Sequence, residues 1–100
     1  MANSTHEDIR ELSQVTLNMS RALNSLIEEL EAIDWYNQRV DVCDDDELAS
    51  ILAHNRDEEK EHAAMLMEWI RRQDPAFDHE LKDYLFTEGS LSEIEHEHHE

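Results

Sequence analysis

Apolar side chains recur at steps of three and four residues up to position 40 of the chain. The series comprises Leu12, Val15, Met19, Leu23, Leu26, Leu30, Ile33 and Val40. This spacing places them on one face of an α-helix. Ser4 and Glu7 precede the series at the spacing of a capping box, so we expect one long amphipathic helix that starts there.

The charged run from Asp41 to Asp46 interrupts this pattern and offers several carboxylates that can cap a following helix. Apolar positions with helical spacing then resume, at Leu48, Ile51, Leu52, Leu66, Trp69 and Ile70. We therefore predict a second long helix that ends near Gln73.

Asp74 and Pro75 predict a stop and a new helix start, since Asp is a favoured cap and Pro is favoured at the first helical position. Gly89 closes a short third helix, marked by Phe77, Leu81, Tyr84 and Leu85. We predict a helical domain over residues 1–88. Residues 89–100 are expected to form an acidic, histidine-rich and disordered tail.

The 100 residues include one glycine and one proline among many helix formers, so the fold class is all-α. The two long helices, joined by a short connection, are expected to pack antiparallel as a hairpin. A lone hairpin exposes much of its apolar stripe, and a hydrophobic content of 39% is low for a core built by one small chain. We expect two hairpins to dimerise into a four-helix bundle.

The chain has 8 lysines and arginines against 26 aspartates and glutamates, a formal net charge of -18. This charge repels phosphate backbones and anionic lipid, so neither nucleic acid nor a membrane is an expected partner. Cys43 is the single cysteine and no apolar leader opens the chain, so a cytoplasmic location is expected. The acidic surface is either simply solvated or collects cations.

Four polar side chains fall inside the apolar stripes, and one of them is Asn55 on the second helix. Glu29 keeps step with Leu26 and Ile33 on the first helix, and Glu59 and His62 share one face of the second. Taking an unpaired carboxylate out of water is costly, whereas a divalent metal stabilises several carboxylates together. Glu29 with Glu59-x-x-His62 is half the ligand set of a di-iron carboxylate bundle, so two chains must meet to complete it.

Carboxylate oxygens combined with an imidazole nitrogen suit iron, manganese or zinc better than calcium. A Glu-x-x-His pair on an acidic helix also arises as a surface accident, and the alternative function is a non-enzymatic acidic helical adaptor or cation-binding protein. Tyr36 continues the stripe of Glu29, either as a core tyrosine or as a group that tunes the metal or traps a radical.

Three segments carry a family likeness: EELEAIDWY at 28–36, ILAHNRDEEKEHAAM at 51–65 and DYLFTEG at 83–89. They closely resemble the encapsulated ferritins, two-helix relatives of ferritin that work inside encapsulin nanocompartments. The resemblance implies a ferritin-like subunit that dimerises to form a ferroxidase centre and assembles into a ring, commonly a decamer. Such a protein oxidises Fe(II) to Fe(III) and supplies iron for mineral storage inside the encapsulin shell.

By the same resemblance, Glu29, Glu59 and His62 from each of two chains bind two irons, with Tyr36 close by. It also implies an outer site where iron enters or waits, formed by Glu28, Glu31 and Trp35. Family members carry a targeting peptide for the shell beyond the helical domain, and no such segment is recognisable after Leu91. The expected location is the cytoplasm, inside an encapsulin nanocompartment.

Overall fold

Five helical segments follow one another in the computed structural model, which describes residues 5–99 and the side chains of residues 5–95. They are a short 3-10 helix (Ile9–Glu11) and the α-helices α1 (Gln14–Val42), α2 (Asp46–Gln73), α3 (Pro75–Tyr84) and α4 (Leu91–His99). The described residues contain no β-strand, which confirms the all-α class and the two long helices. No described helix has the length and apolar character that crossing a membrane requires.

The first long helix begins directly after its N-cap, Ser13. The Ser13 side chain accepts a hydrogen bond from the backbone N–H of Thr16 at 3.1 Å. Upstream, Asp8 caps the 3-10 helix and the backbone at Leu12 is extended, so α1 cannot continue from further upstream. The predicted start near Ser4 is therefore wrong, and Ser4 itself lies outside the described residues.

The predicted breaks on either side of α2 are confirmed. Asp45 caps the helix by accepting a hydrogen bond from the backbone N–H of Leu48 at 2.8 Å. The helix ends at Gln73, and the Asp74 side chain then accepts from two backbone N–H groups in the first turn of α3. Pro75 follows at the first helical position, where its missing N–H is not needed.

Helix α3 ends at Tyr84, earlier than predicted. Leu85 is extended, and Phe86 adopts the left-handed conformation with φ of 62°. This conformation costs a non-glycine residue roughly 1–2 kcal/mol. Gly89, with φ of 93°, lies beyond the helix end rather than closing it. The carbonyl of Tyr84 accepts from the backbone N–H of Thr87 at 3.3 Å, so the turn after α3 has its own hydrogen bond.

Sequence analysis does not predict α4 and expects a disordered tail in its place. The helix starts where the backbone N–H of Ile94 donates to the carbonyl of Ser90 at 3.1 Å. The capping-box spacing of Ser90 and Glu93 was the available signal. The backbone is helical through residue 99, whereas the histidine side chains from residue 96 on lie outside the described part. The domain boundary after residue 88 stays a prediction.

Contacts between the two long helices establish that they run antiparallel. Close to the connection, the Arg56 guanidinium donates to the side chain of Asn37 at 3.2 Å. Farther along, Leu66 of α2 lines the same groove as Ala22 of α1. Residues closer to the end of α2 thus lie beside residues closer to the start of α1. This arrangement confirms the predicted hairpin.

The chain divides into two compact units, one that ends at Trp69 and one that starts at Ile70. Among the described residues, the buried hydrophobic side chains are Ala22 and Ala63 in the first unit and Ile70 in the second. Large apolar side chains of the hairpin are exposed, among them Leu23, Ile27, Leu30, Leu48, Ile51, Met65 and Trp69. This exposed surface supports the pairing of two hairpins into a ferritin-like four-helix bundle, which stays a prediction.

Within the second unit, Asp78 links α3 to the end of α2. Its carboxylate forms ion pairs with Arg71 and, at 3.0 Å, with Lys82. Hydrogen bonds from Lys82 and then from Arg71 stabilise the charged carboxylate, so they hold the pKa of Asp78 below its ordinary value of 3.8. The junction between α2 and α3 therefore depends in part on charge.

Replacing Asp78 by asparagine removes both ion pairs, so D78N should unfold at a lower temperature than the wild type at neutral pH. A carboxylate with a lowered pKa stabilises the fold above its unfolded-state pKa, and this stabilisation is lost as pH falls through the lower folded-state value. The difference in melting temperature, read by circular dichroism, should therefore shrink below pH 3.8. Asp34→Asn changes an exposed carboxylate without an ion pair among the described residues; equal losses in both variants would contradict this role of Asp78.

Candidate metal centre

Glu29 of α1 faces Glu59 and His62 of α2 across the hairpin, and we call these residues the three-ligand cluster. One ligand atom from each side chain lies within 4.8 Å of the other two. The Nδ1 atom of His62 is 3.5 Å from Oε2 of Glu29 and 3.7 Å from Oε2 of Glu59. The sequence predicts these residues as ligands and the fold brings them together. That they bind metal stays a prediction.

Helical register explains the arrangement. Glu59 and His62 are three positions apart, which sets them on one face of α2 with about 4.5 Å of rise between them. Antiparallel packing brings Glu29 opposite that face, in step with the half-buried side chains of Leu26 and Ile33. Both helices are continuous through these positions, so regular backbone rather than a loop sets the spacing of the ligands.

The carboxylate of Glu29 lies in an unfavourable environment. Its Oε2 atom is buried without a hydrogen-bond partner, and 24% of the side chain is exposed. The adjoining carboxyl group of Glu59 is the largest cause that raises the pKa of Glu29 above its ordinary value of 4.5, and burial is the second. His62 opposes this rise. The cluster therefore has a charge pattern that a bound cation would relieve.

The donor set of the cluster fits a divalent transition metal such as iron. It offers carboxylate oxygens together with an imidazole nitrogen, the combination that suits iron, manganese and zinc. Oε2 of Glu29 is an acceptor that no group of the protein satisfies, as a ligand atom for an ion would be. Three side chains fill only part of a coordination shell, and His62 is 43% exposed. The remaining positions are thus open to other ligands.

Tyr36 lies two turns along α1 from Glu29, on the same half-buried stripe. The rise between them is about 10 Å, so Tyr36 is not part of the three-ligand cluster. The guanidinium carbon of Arg39 lies 5.1 Å from the centroid of the Tyr36 ring, a cation–π contact. Sequence analysis missed Arg39, although its i, i+3 spacing from Tyr36 was an available signal. The role of Tyr36 near a metal stays a prediction.

The predicted outer site lies on another face of α1. Glu28 is exposed, Glu31 is half-buried, and Trp35 is 52% exposed. Across the described part of the chain, only the three-ligand cluster brings three potential metal ligands together. Glu28 and Glu31 therefore do not form a closed site within one chain. Their part in iron binding stays a prediction.

The sequence model of the EncFtn-like family matches residues 4–88. An encapsulated ferritin-like protein of Rhodospirillum rubrum is 58% identical over 94 residues, which are 94% of this chain and 67% of the relative. A ferritin-like protein of Thermotoga maritima is 53% identical over 97 residues, which are 97% of this chain and 85% of the relative. The likeness to these relatives extends over almost the whole chain.

An encapsulin nanocompartment cargo protein of Myxococcus xanthus, EncC, is 41% identical over 66 residues, 66% of this chain and 50% of the relative. Among solved structures, that of protein ne0167 from Nitrosomonas europaea shares 67% identity with a TM-score of 0.86, and the match covers 88% of this chain and 97% of that one. The family match includes both long helices and the three-ligand cluster. The chain therefore belongs to the EncFtn-like family, as its resemblance to the encapsulated ferritins predicted.

Proposed function

We propose that this protein is a ferroxidase, which oxidises Fe(II) to Fe(III) at a di-iron centre formed between two copies of the chain. The convergence of Glu29, Glu59 and His62 is the observation that supports this function. Within this cluster, Oε2 of Glu29 is buried without a hydrogen-bond partner, which a merely solvated acidic surface would not require. Iron, bound in pairs, is the substrate.

A centre shared by two chains accounts for the composition of the cluster. Each chain supplies two carboxylates and one imidazole, half of the ligand set that di-iron carboxylate bundles use. Apolar side chains adjoin the ligands on each helix, and both Leu30 and Met65 are exposed in the single chain. A second hairpin would cover this apolar surface and bring the missing ligands. The dimer is therefore the proposed active unit.

In the proposed reaction each iron of the pair loses one electron. The two electrons, with protons from solvent, reduce dioxygen to hydrogen peroxide or peroxide to water. The chain binds the two ions close together and favours the oxidised product, since anionic carboxylate ligands stabilise Fe(III) more than Fe(II). Glu59 bridges the ions in this scheme, with Glu29 and His62 as terminal ligands. Binding the cations also removes the repulsion between the two carboxylates.

Charge outside the cluster supports the delivery of iron. The net charge of -18 raises the local concentration of Fe(II) and its rate of arrival. In our proposal Glu28, Glu31 and Trp35 form the outer site where iron waits, and Tyr36 tunes the centre. The raised pKa of Glu29 adds a further consequence: cation binding releases any proton held by this carboxyl group.

The names of two relatives suggest where the reaction takes place. One relative is called encapsulated, and another is called a cargo protein of an encapsulin nanocompartment. We extend this to the present chain as cargo of an encapsulin shell protein in the cytoplasm. A homo-oligomer of dimers, by the family resemblance a decameric ring, would oxidise iron there for storage as mineral.

The rival function is a non-enzymatic acidic adaptor or cation-binding protein. Such a protein would use the same apolar stripe to bind a partner helix. The largely buried carboxylate of Glu29 argues against an adaptor, because a helix-binding surface gains nothing from a buried carboxylate oxygen without a hydrogen-bond partner. Oxidation kinetics separate the two functions, since an adaptor would bind iron without accelerating its oxidation.

Glu59→Ala should slow the oxidation of Fe(II) by about 100-fold or more, because it removes the ligand that bridges the two ions. Stopped-flow absorbance of the Fe(III) product measures the rate, and circular dichroism should show unchanged helix content. The matched control is Glu61→Ala, which removes an exposed glutamate of the same helix and should keep the wild-type rate. A wild-type rate in E59A would remove the reaction from this cluster.

Anaerobic addition of Fe(II) to the metal-free protein should increase the dimer fraction, because the two chains share the ligands. Native mass spectrometry reads assembly and iron per chain together, and we expect two irons per dimer. Ca²⁺ should not replace iron, since it prefers an all-oxygen shell. The same oligomer distribution in chelator and in iron, or uptake without saturation, would favour the rival function.

Glu29→Gln should raise the unfolding temperature of the metal-free protein while weakening its iron binding. A carboxyl group with a raised pKa destabilises the fold as pH rises from its unfolded-state value through the higher folded-state value. The gain in E29Q should therefore be present at neutral pH and vanish below pH 4.5, as thermal melts in chelator can show. Glu28→Gln is the exposed control; a lower unfolding temperature of E29Q at neutral pH would contradict the raised pKa of Glu29 beside Glu59.

A further inference from the structure

Met65 adjoins the three-ligand cluster along α2. It follows His62 by three positions, a spacing at which the Cβ atoms of a helix are about 5–6 Å apart. Side chains of a helix lean toward its N-terminus, so Met65 lies over the turn that contains His62. The helix is continuous through both positions. The thioether of Met65 is therefore a neighbour of the imidazole ligand.

The other methionines have different positions. Met67 follows His62 by five residues, which turns its side chain about 140° around α2 from the imidazole. Met19 precedes Glu29 by ten residues on α1, a rise of about 15 Å. Met1 lies outside the described residues. Helical register thus favours a methionine at position 65 as the one beside the cluster.

The cluster is most open on the side of His62. The side chain of this residue is 43% exposed, against 24% for Glu29 and 25% for Glu59. A small molecule released from the cluster therefore leaves past His62, on the side of α2 that carries Met65. Met65 and Met67 are 59% and 47% exposed, so an oxidant in bulk solution reaches both. Only an oxidant formed at the cluster would distinguish them.

The reaction proposed for the cluster yields an oxidant of methionine. When dioxygen takes up two electrons and two protons, the product is hydrogen peroxide. The thioether sulfur attacks one peroxide oxygen with its lone pair, and the O–O bond breaks. The proton of the transferred oxygen passes to the departing hydroxide, which leaves as water. The sulfur is oxidised to a sulfoxide, the peroxide is reduced, and reductases can reverse the modification.

We propose that Met65 is a site of reversible oxidation, where the thioether consumes hydrogen peroxide formed at the three-ligand cluster. This role rests on the proposed ferroxidase function, which supplies the peroxide. The oxidant is formed beside the residue, so the reaction does not require access from bulk solvent and continues if a second hairpin covers Met65. Peroxide consumed there no longer reaches the imidazole of His62, so the modification protects a ligand.

Peptide mass spectrometry after aerobic addition of Fe(II) tests the site. The sulfoxide fraction of Met65 should exceed that of Met67 at least about fivefold, because peroxide is most concentrated where it is formed. Catalase should leave Met65 oxidation largely unchanged, since it removes only peroxide that has left the protein. Hydrogen peroxide added to the iron-free protein should oxidise both residues to a similar degree. Equal oxidation of the two during turnover, the same preference with added peroxide, or loss of Met65 oxidation in catalase would overturn the proposal.

The rate of Fe(III) formation, followed by absorbance in the same samples, separates this role from the ferroxidase function. Glu59→Ala should lose both the fast oxidation of iron and the preferential oxidation of Met65. A fast wild-type rate without this preference would refute the role of Met65 alone. A wild-type rate no faster than that of E59A would refute the ferroxidase function itself.

Met65→Leu tests the protection of His62. Leucine keeps the volume and the apolar character of the side chain, so M65L should start at the wild-type rate. Over repeated additions of Fe(II), M65L should lose its activity after about half as many additions, because no thioether consumes the peroxide beside the ligand. The peptide that contains His62 should then gain the mass of oxygen. Met67→Leu is the matched control and should last as long as the wild type; an equal lifetime of M65L would contradict the protective role.

Discussion

Two carboxylates, those of Glu29 and Glu59, face each other across a hairpin that has few buried apolar side chains. Their proximity and the burial of Glu29 raise its pKa, and one of its oxygens has no hydrogen-bond partner. A leucine in its place would pack without this electrostatic cost. In the metal-free chain this electrostatic cost therefore lies at the point where we propose that a cation binds.

The small number of buried apolar side chains also connects the fold with assembly. Local capping by Ser13, Asp45 and Asp74 defines the helix starts, so the positions of these starts do not depend on a large core. The apolar residues left exposed on the hairpin are then available for association. The EncFtn-like family model matches the hairpin and α3 as one continuous segment, residues 4–88. Family membership therefore applies to the helices that carry this exposed apolar surface.

Sequence predictions succeeded where neighbouring local signals agreed. All the aspartates from Asp41 to Asp46 mark the same short connection, Asp74 and Pro75 mark a single break, and the predicted breaks on both sides of α2 were correct. The start of α1 was wrong because Asp8 and Ser13 also cap helices there, and the backbone between them chooses the later start. The end of α3 was wrong because Phe86, rather than a glycine, takes the left-handed turn. Propensity alone does not predict a strained residue.

The sequence by itself determined the helical class, the hairpin and the shared face of Glu59 and His62, since 3.6 residues per turn sets the direction of side chains along one helix. Tertiary structure alone decided that Glu29 meets this pair, because the register between two helices follows from packing across the whole hairpin. It also decided which oxygen of Glu29 is left unsatisfied. Likewise, the contact of Arg39 with Tyr36 and the exposure of Phe86 depend on rotamers and backbone angles, which residue spacing does not specify.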